Sequence, residues 1–141
     1  MPTQARVTLV LDRLQCNSTE DNAGKDECYM KINGTGISSN QNRLPGDGHH
    51  SLNDGQTWTL NEKIFSKRII EEDEPLSVEI ELWDEDAGLW GLDKDDFLGR
   101  IQMTIGVNTS SEKSSWKFDR DGADYDLFWE LTVQKREVPE W

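Results

Sequence analysis

The stretch "ELWDEDAGLWGLDKDDFLGR", residues 81–100, concentrates groups able to do chemistry. Asp84, Asp86, Asp93, Asp95 and Asp96 are acceptors only when ionised, and they are hard oxygen donors. Calcium takes about six to eight such oxygens, from carboxylates, carbonyls and water. A second acid-bearing stretch, "NSTEDNAGKDE" (residues 17–27), contains Asp21 and Glu27. Each pair of carboxylates held about 4 Å apart costs roughly 4 kcal/mol at an effective dielectric near 20. Lys25 and Lys94 are too few to offset five or more acids, so a divalent cation is the fitting counter-charge if the acids meet. The alternative is that the loops splay into water. Leu89, Trp90 and Leu92 sit among the acids. A tryptophan with flanking leucines suits the boundary of a lipid layer, a protein anchor, or a tip folded back over the core.

Overall composition narrows the field. The chain has 141 residues, the size of one ordinary domain, and it is 34% hydrophobic with six tryptophans, which argues against disorder. We take residues 1–141 as a single domain, with its core over about 5–133 and a C-terminal tail over 134–141. Net charge is −13, from 28 acids against 15 bases. Phosphate contacts need a basic face, so nucleic acid is a poor partner. An anionic membrane would repel the chain until something neutralised the acids locally. No apolar run approaches the roughly 18 residues of a membrane span, and no signal-peptide pattern opens the sequence. A cytoplasmic or peripheral-membrane location is the default expectation.

The elements that must position the acids read as strands. "LSVEIELW" alternates Leu76, Val78, Ile80 and Leu82 against Ser77, Glu79 and Glu81. "RVTLVLDRL" alternates Val7, Leu9 and Leu11, with Val10 and Leu14 breaking the pattern. "TWTLNEKIF" alternates Trp58 and Leu60, then slips before Ile64. With "CYMKI", "FLGRIQMTI", "SWKF", "YDLFWELTV" and a weak strand near His49–Leu52, the pattern predicts an all-β, eight-stranded antiparallel Greek-key sandwich. If strand one runs up to Cys16 and the weak strand also runs up, loops 17–27, "LNDGQ" and 84–96 all fall at one end. "EEDEP" then falls at the other, as a solvated connection.

This pattern resembles a C2 domain, the calcium- and phospholipid-binding β-sandwich family. "DNAGKDECYMKI" is similar to that family's first loop, with Asp21 followed six residues later by Glu27. Glu27 stands where the family has aspartate, and Cys28 where it has proline. "TWTLNEKIF" is similar to the family's W-N-E-x-F strand, with extra residues between Trp58 and Asn61. "WDEDAGLWGLDKDDFLGR" supplies Asp84, Asp86 and Asp96 before Phe97-Leu98-Gly99, with a gap about four residues longer than the family's. The resemblance implies a Ca2+ site formed by Asp21, Glu27, Asp84, Asp86 and Asp96, with Asp93 or Asp95 as further ligands. It implies that Leu89, Trp90 and Leu92 enter the headgroup region of an anionic phospholipid membrane once calcium is bound. A protein or glycan partner, with structural calcium or none, is the alternative.

The remaining chemistry-bearing residues point elsewhere. Cys16 and Cys28 lack zinc-ligand spacing; they are either a disulfide between neighbouring strands or free thiols. His49 and His50 are adjacent on a glycine-rich loop, outside any nucleophile motif, and no cleft for a paired-carboxylate hydrolase fits so short a sandwich. We therefore read the chain as non-catalytic. "DRDGADYD" (119–126) is like a fragment of a calcium loop but lacks the downstream glutamate, and is read as a turn between strands. Asn17, Asn33 and Asn108 begin Asn-x-Ser/Thr sequons, which bear on function only in a secreted eukaryotic chain.

Overall fold

The structure is a computed structural model that describes residues 3–19, 25–35, 37, 42–85 and 95–137. Its strands are β1 (Thr3–Ser18), β2 (Asp26–Gly34), β3 (Arg43–Leu44), β4 (His50–Leu52), β5 (Thr57–Ile70), β6 (Leu76–Asp84), β7 (Asp96–Ile105), β8 (Glu112–Phe118) and β9 (Asp124–Glu137). One sheet has the order β5-β1-β9-β8; the other runs β3-β2-β6-β7, with β4 also on β2. Since β6 occupies one side of β2 from Cys28 to Gly34, β3 and β4 share the opposite edge. They fill one interrupted strand position, so the nine pieces occupy the eight places expected of an antiparallel sandwich. β9 continues to Glu137, where it pairs with Thr3.

The irregular hydrophobic patterns of β1 and β5 have one cause. Leu9 pairs with Phe65 and Val10 with Lys63, so Ile64 is an extra residue in a bulge. Ile64 and Phe65 are consequently both buried despite being neighbours. A second bulge lies between Leu11 and Arg13 and turns Leu14 back to the core. In β6 the alternation is regular: Leu76, Val78, Ile80 and Leu82 are all buried. Burying each such side chain contributes roughly 1.5–3 kcal/mol before entropy is counted. Gly99 closes the sandwich at β7: its φ is +149°, and a Cβ there would lie 2.9 Å from the Phe118 ring.

A polar cluster ties the two sheets together inside this core. The Tyr125 hydroxyl of β9 donates to Asp26 Oδ2 of β2 at 2.6 Å, and both residues are fully buried. The Cys28 thiol donates to the Tyr125 oxygen at 3.4 Å. The cysteines are therefore free, buried thiols on opposite sheets rather than a bridge between neighbouring strands. Burial pushes the Cys28 thiol well above its ordinary range, and burial followed by the Cys28 and Asp26 neighbours does the same to Tyr125. These groups stay neutral across the physiological range and act as hydrogen-bond donors.

Two substitutions test this account. Tyr125→Phe removes the donor to a buried carboxylate and is expected to cost about 1–3 kcal/mol in urea denaturation. An unchanged midpoint would show that the cluster adds nothing to stability. Gly99→Ala is expected to cost about 1–3 kcal/mol, because Phe118 must give way.

Candidate functional site

Take the upper end of the sandwich as the one at which β1 finishes, at Ser18. β9 begins there, with Asp124 opposite Ser18. β2 also begins there, β4 ends there with Leu52 opposite Asp26, and β6 and β7 meet there through Cys28, Asp84 and Asp96 in one row. The strand ends that flank residues 20–24 and 86–94 are thus at this end, as are the connections 53–56 and 119–123, while 71–75 lies at the other. The expected convergence of three loops is present, and the β8–β9 connection joins it as a fourth. That connection is a 3-10 turn, Arg120–Gly122, consistent with the strand-to-strand reading of "DRDGADYD".

Of the five expected cation ligands, Glu27, Asp84 and Asp96 are brought to neighbouring strand ends. Asp84 is 7% exposed, and its Oδ1 accepts the Glu27 N–H at 2.7 Å. The Glu85 N–H in turn donates to the Glu27 carbonyl at 2.8 Å. Asp96 sits directly across from Asp84 in the β6–β7 register. Asp21 and Asp86 lie outside the described residues, as do Leu89, Trp90 and Leu92 of the expected tip and Asp93. Among the described residues, no three His, Cys, Asp or Glu side chains are close enough together to hold a metal ion. The donor set is chemically right for calcium: carboxylates and backbone carbonyls, with the histidine used elsewhere. That histidine, His49, contacts Glu85 through Nδ1 at 2.7 Å. His50 stacks on Trp58 at 4.8 Å, and burial followed by the His49 neighbour lowers its pKa below the ordinary histidine value.

Several contacts of this end go beyond the sequence reading, which has Asp95 only as a further cation ligand and Asp54 only as part of a loop. Asp54, in the β4–β5 connection, accepts the Thr19 N–H at 2.9 Å and so anchors the first acidic loop. Asp95 accepts the Tyr29 hydroxyl at 2.5 Å. Burial, then Asp95 itself, raises the Tyr29 pKa, so the hydroxyl remains a donor. Below the acids lies an aromatic row across β2, β6 and β7. Tyr29 and Trp83 are stacked at 6.5 Å, and Trp83 and Phe97 are tilted at 5.2 Å. Cations cover these rings: Lys31 Nζ lies 4.7 Å from Trp83, and the Arg43 guanidinium 4.4 Å from Tyr29. The signal for this row was the period of two in "CYMKI" and "LSVEIELW", which places Tyr29 and Trp83 outward once the core residues are placed inward.

On the other sheet the acids are already partnered. Lys117 Nζ lies 2.5 Å from Asp124 Oδ1 and 3.4 Å from Asp126 Oδ1, and Asn17 donates to both carboxylates. The Lys117 ammonium, then Asn17, holds the Asp124 carboxyl below the usual carboxylate range.

A sandwich with acid-bearing loops gathered at one end is the architecture of the C2 class, and comparison with solved structures agrees. The chain aligns over 94% of its length with 98% of a structure described as a C2 domain, at 19% identity and a TM-score of 0.50. It aligns over 95% of its length with 97% of a C2 domain of plant Extended Synaptotagmin 1, at 13% identity and a TM-score of 0.52. It also aligns over 96% of its length with human GIVD cytosolic phospholipase A2, at 14% identity and a TM-score of 0.55, spanning 17% of that chain. No family model and no curated protein matches the sequence. At these identities the likeness is one of fold: the chain has the fold of a C2-type β-sandwich.

The Asp84–Glu27 contact separates a structural from an electrostatic role. Asp84→Ala leaves a half-buried N–H without its acceptor and should cost about 1–3 kcal/mol. Asp84→Asn keeps an acceptor oxygen and should cost clearly less in the same thermal melt, while removing the charge.

Proposed function

We propose that this chain is a non-catalytic calcium-binding module that attaches to anionic phospholipid through the loops at its upper end. The observation that carries the reading is the delivery of Glu27, Asp84 and Asp96 to adjacent strand ends, beside the loops bearing Asp21, Asp86 and Asp54. Calcium at this end would offset the mutual repulsion of these carboxylates and supply a bridge to lipid phosphate. The chain's own part is to hold the carboxylates on stiff strand ends and to present Leu89, Trp90 and Leu92 between Asp86 and Asp96. Without the cation, an upper end rich in acids repels an anionic surface; with it, the apolar tip can enter the headgroup layer. The likeness to C2 domains supports this reading at the level of fold. The reading of both histidines as structural, on Glu85 and Trp58, supports a binding rather than a catalytic role.

A second reading has its own observation. Trp83 and Phe97 are half-buried on the outer face, beside Lys31 and over the buried Tyr29, and form a small surface that a protein or glycan can contact. Under that reading, partner binding ignores a chelator.

A calcium titration followed by tryptophan fluorescence and thermal unfolding tests the first reading. Calcium at about 100 times its Kd is expected to stabilise the fold by about 2.7 kcal/mol. It should also drive co-sedimentation with phosphatidylserine vesicles. Trp90→Ala with Leu92→Ala should weaken vesicle binding at least about tenfold while leaving the calcium-induced stabilisation intact. A melting curve unmoved by millimolar calcium would end this reading.

A further inference from the structure

The chain carries a net charge of −13, yet three arginines share one patch of a sheet face, a few residues from the lower connection that holds Glu71, Glu72, Asp73 and Glu74. On the outer face of the sheet β5-β1-β9-β8, Arg6 stands directly opposite Arg68 on one side and Gln134 on the other. The next outward row is Ile70, Gln4 and Arg136, so Arg136 is a diagonal neighbour of Arg6, at about 7–8 Å by sheet geometry. The row above is Ser66, Thr8 and Thr132. Thr8 and Ser66 share a hydrogen bond of 3.1 Å, and Arg6 Nη1 donates to Ser66 Oγ at 3.4 Å. All three arginines are exposed. Among the described residues, no carboxylate forms an ion pair with any of them. The arginines and the two glutamines line a shallow groove of about 230 Å³.

Like charges directly across a strand pair destabilise a sheet. In a chain with almost two acids for every base, two facing guanidiniums with no described carboxylate between them are a departure that asks for a ligand. The groove is too small for a folded partner and suits a single oxyanion. A carboxylate monoanion satisfies one planar guanidinium. Three guanidiniums, flanked by amides and hydroxyls, match the charge and the several acceptor oxygens of a phosphate group. The place is also separate from the acidic end: Arg6 lies ten residues below Cys16 on β1, roughly 30 Å along the strand. We propose that Arg6, Arg68 and Arg136 form a calcium-independent site for a phosphate monoester group, with the Gln4 and Gln134 amides and the Ser66 hydroxyl as further donors.

The site is tested on the full chain in the presence of EDTA, which removes any contribution from a calcium site. Titration with inorganic pyrophosphate, followed by calorimetry, is expected to give saturable binding that weakens as salt is raised. Arg6→Gln combined with Arg68→Gln should weaken it at least about tenfold, whereas Lys113→Gln on the same face should not. The double variant should melt at the same temperature as the parent or slightly above it, because a repulsion has been removed; a purely structural role would lower it. Vesicles of phosphatidylcholine containing a minor fraction of a phosphatidylinositol phosphate identify the source. Co-sedimentation in EDTA that the double variant loses assigns the phosphate to a lipid headgroup. Pyrophosphate binding without co-sedimentation assigns it to a soluble ligand. No saturable pyrophosphate binding and no co-sedimentation, or binding that the double variant retains, overturns the proposal.

Discussion

The period-two pleat of β2 is the constraint on which the upper end of this molecule depends. It sends Asp26 and Cys28 into the core and Glu27 and Tyr29 to the opposite face of the sheet, where Arg43 covers the Tyr29 ring. The inward pair meets Tyr125 from the opposite sheet, and the hydrogen bond from Tyr125 to Asp26 spans the sandwich. The outward pair meets Asp84 and Trp83 on β6. A slip of one residue would put Glu27 into the core and Asp26 onto the surface. The lock between sheets and the placing of the candidate ligands are therefore set by one register, and neither can be changed alone.

Electrostatics then divides the surface. The upper end gathers carboxylates, and on β9 those of Asp124 and Asp126 are met by Lys117 and Asn17. On β6, Glu81 is met by Arg100 at 2.8 Å. The lower flank of the other face has guanidiniums and, among the described residues, no carboxylate pairing with them. Exposed ion pairs of this kind add little to stability. Their distribution matters for association instead, because an acidic end and an arginine patch on one small domain present different faces to any charged partner. The aromatic row of Tyr29, Trp83 and Phe97 lies on the sheet opposite the arginines, with cations held over its rings.

How far the sequence revealed this follows from what each signal encodes. The alternation in β6 is strict, and it gave both the strand and the end at which Asp84 emerges. The weak strand near His49 was legible only as a need of the topology, since three residues, His-Ser-Leu, carry no hydrophobic pattern; the structure has it as His50–Leu52. The slips in β1 and β5 were visible, but not their cause, because a bulge is a relation between two strands and neither sequence contains it alone. The contacts of Asp54 and Asp95 were hidden for a similar reason: their partners, Thr19 and Tyr29, are distant in the chain. The Arg6–Arg68 juxtaposition was equally hidden, being a consequence of which strand lies beside which. The expected metal ligands Asp21 and Asp86 and the expected tip residues Leu89, Trp90 and Leu92 fall outside the described residues.

The departures from the C2 pattern at positions 27 and 28 have a common physical reading. Cysteine in place of proline at 28 adds a thiol that donates to the Tyr125 oxygen, which leaves the hydroxyl proton of Tyr125 directed at Asp26. A proline there has no donor to offer that oxygen. Glutamate in place of aspartate at 27 lengthens the side chain by one methylene, while its backbone is held by Asp84 on one side and Glu85 on the other. The backbone of the site is thus fixed more firmly than its side-chain reach.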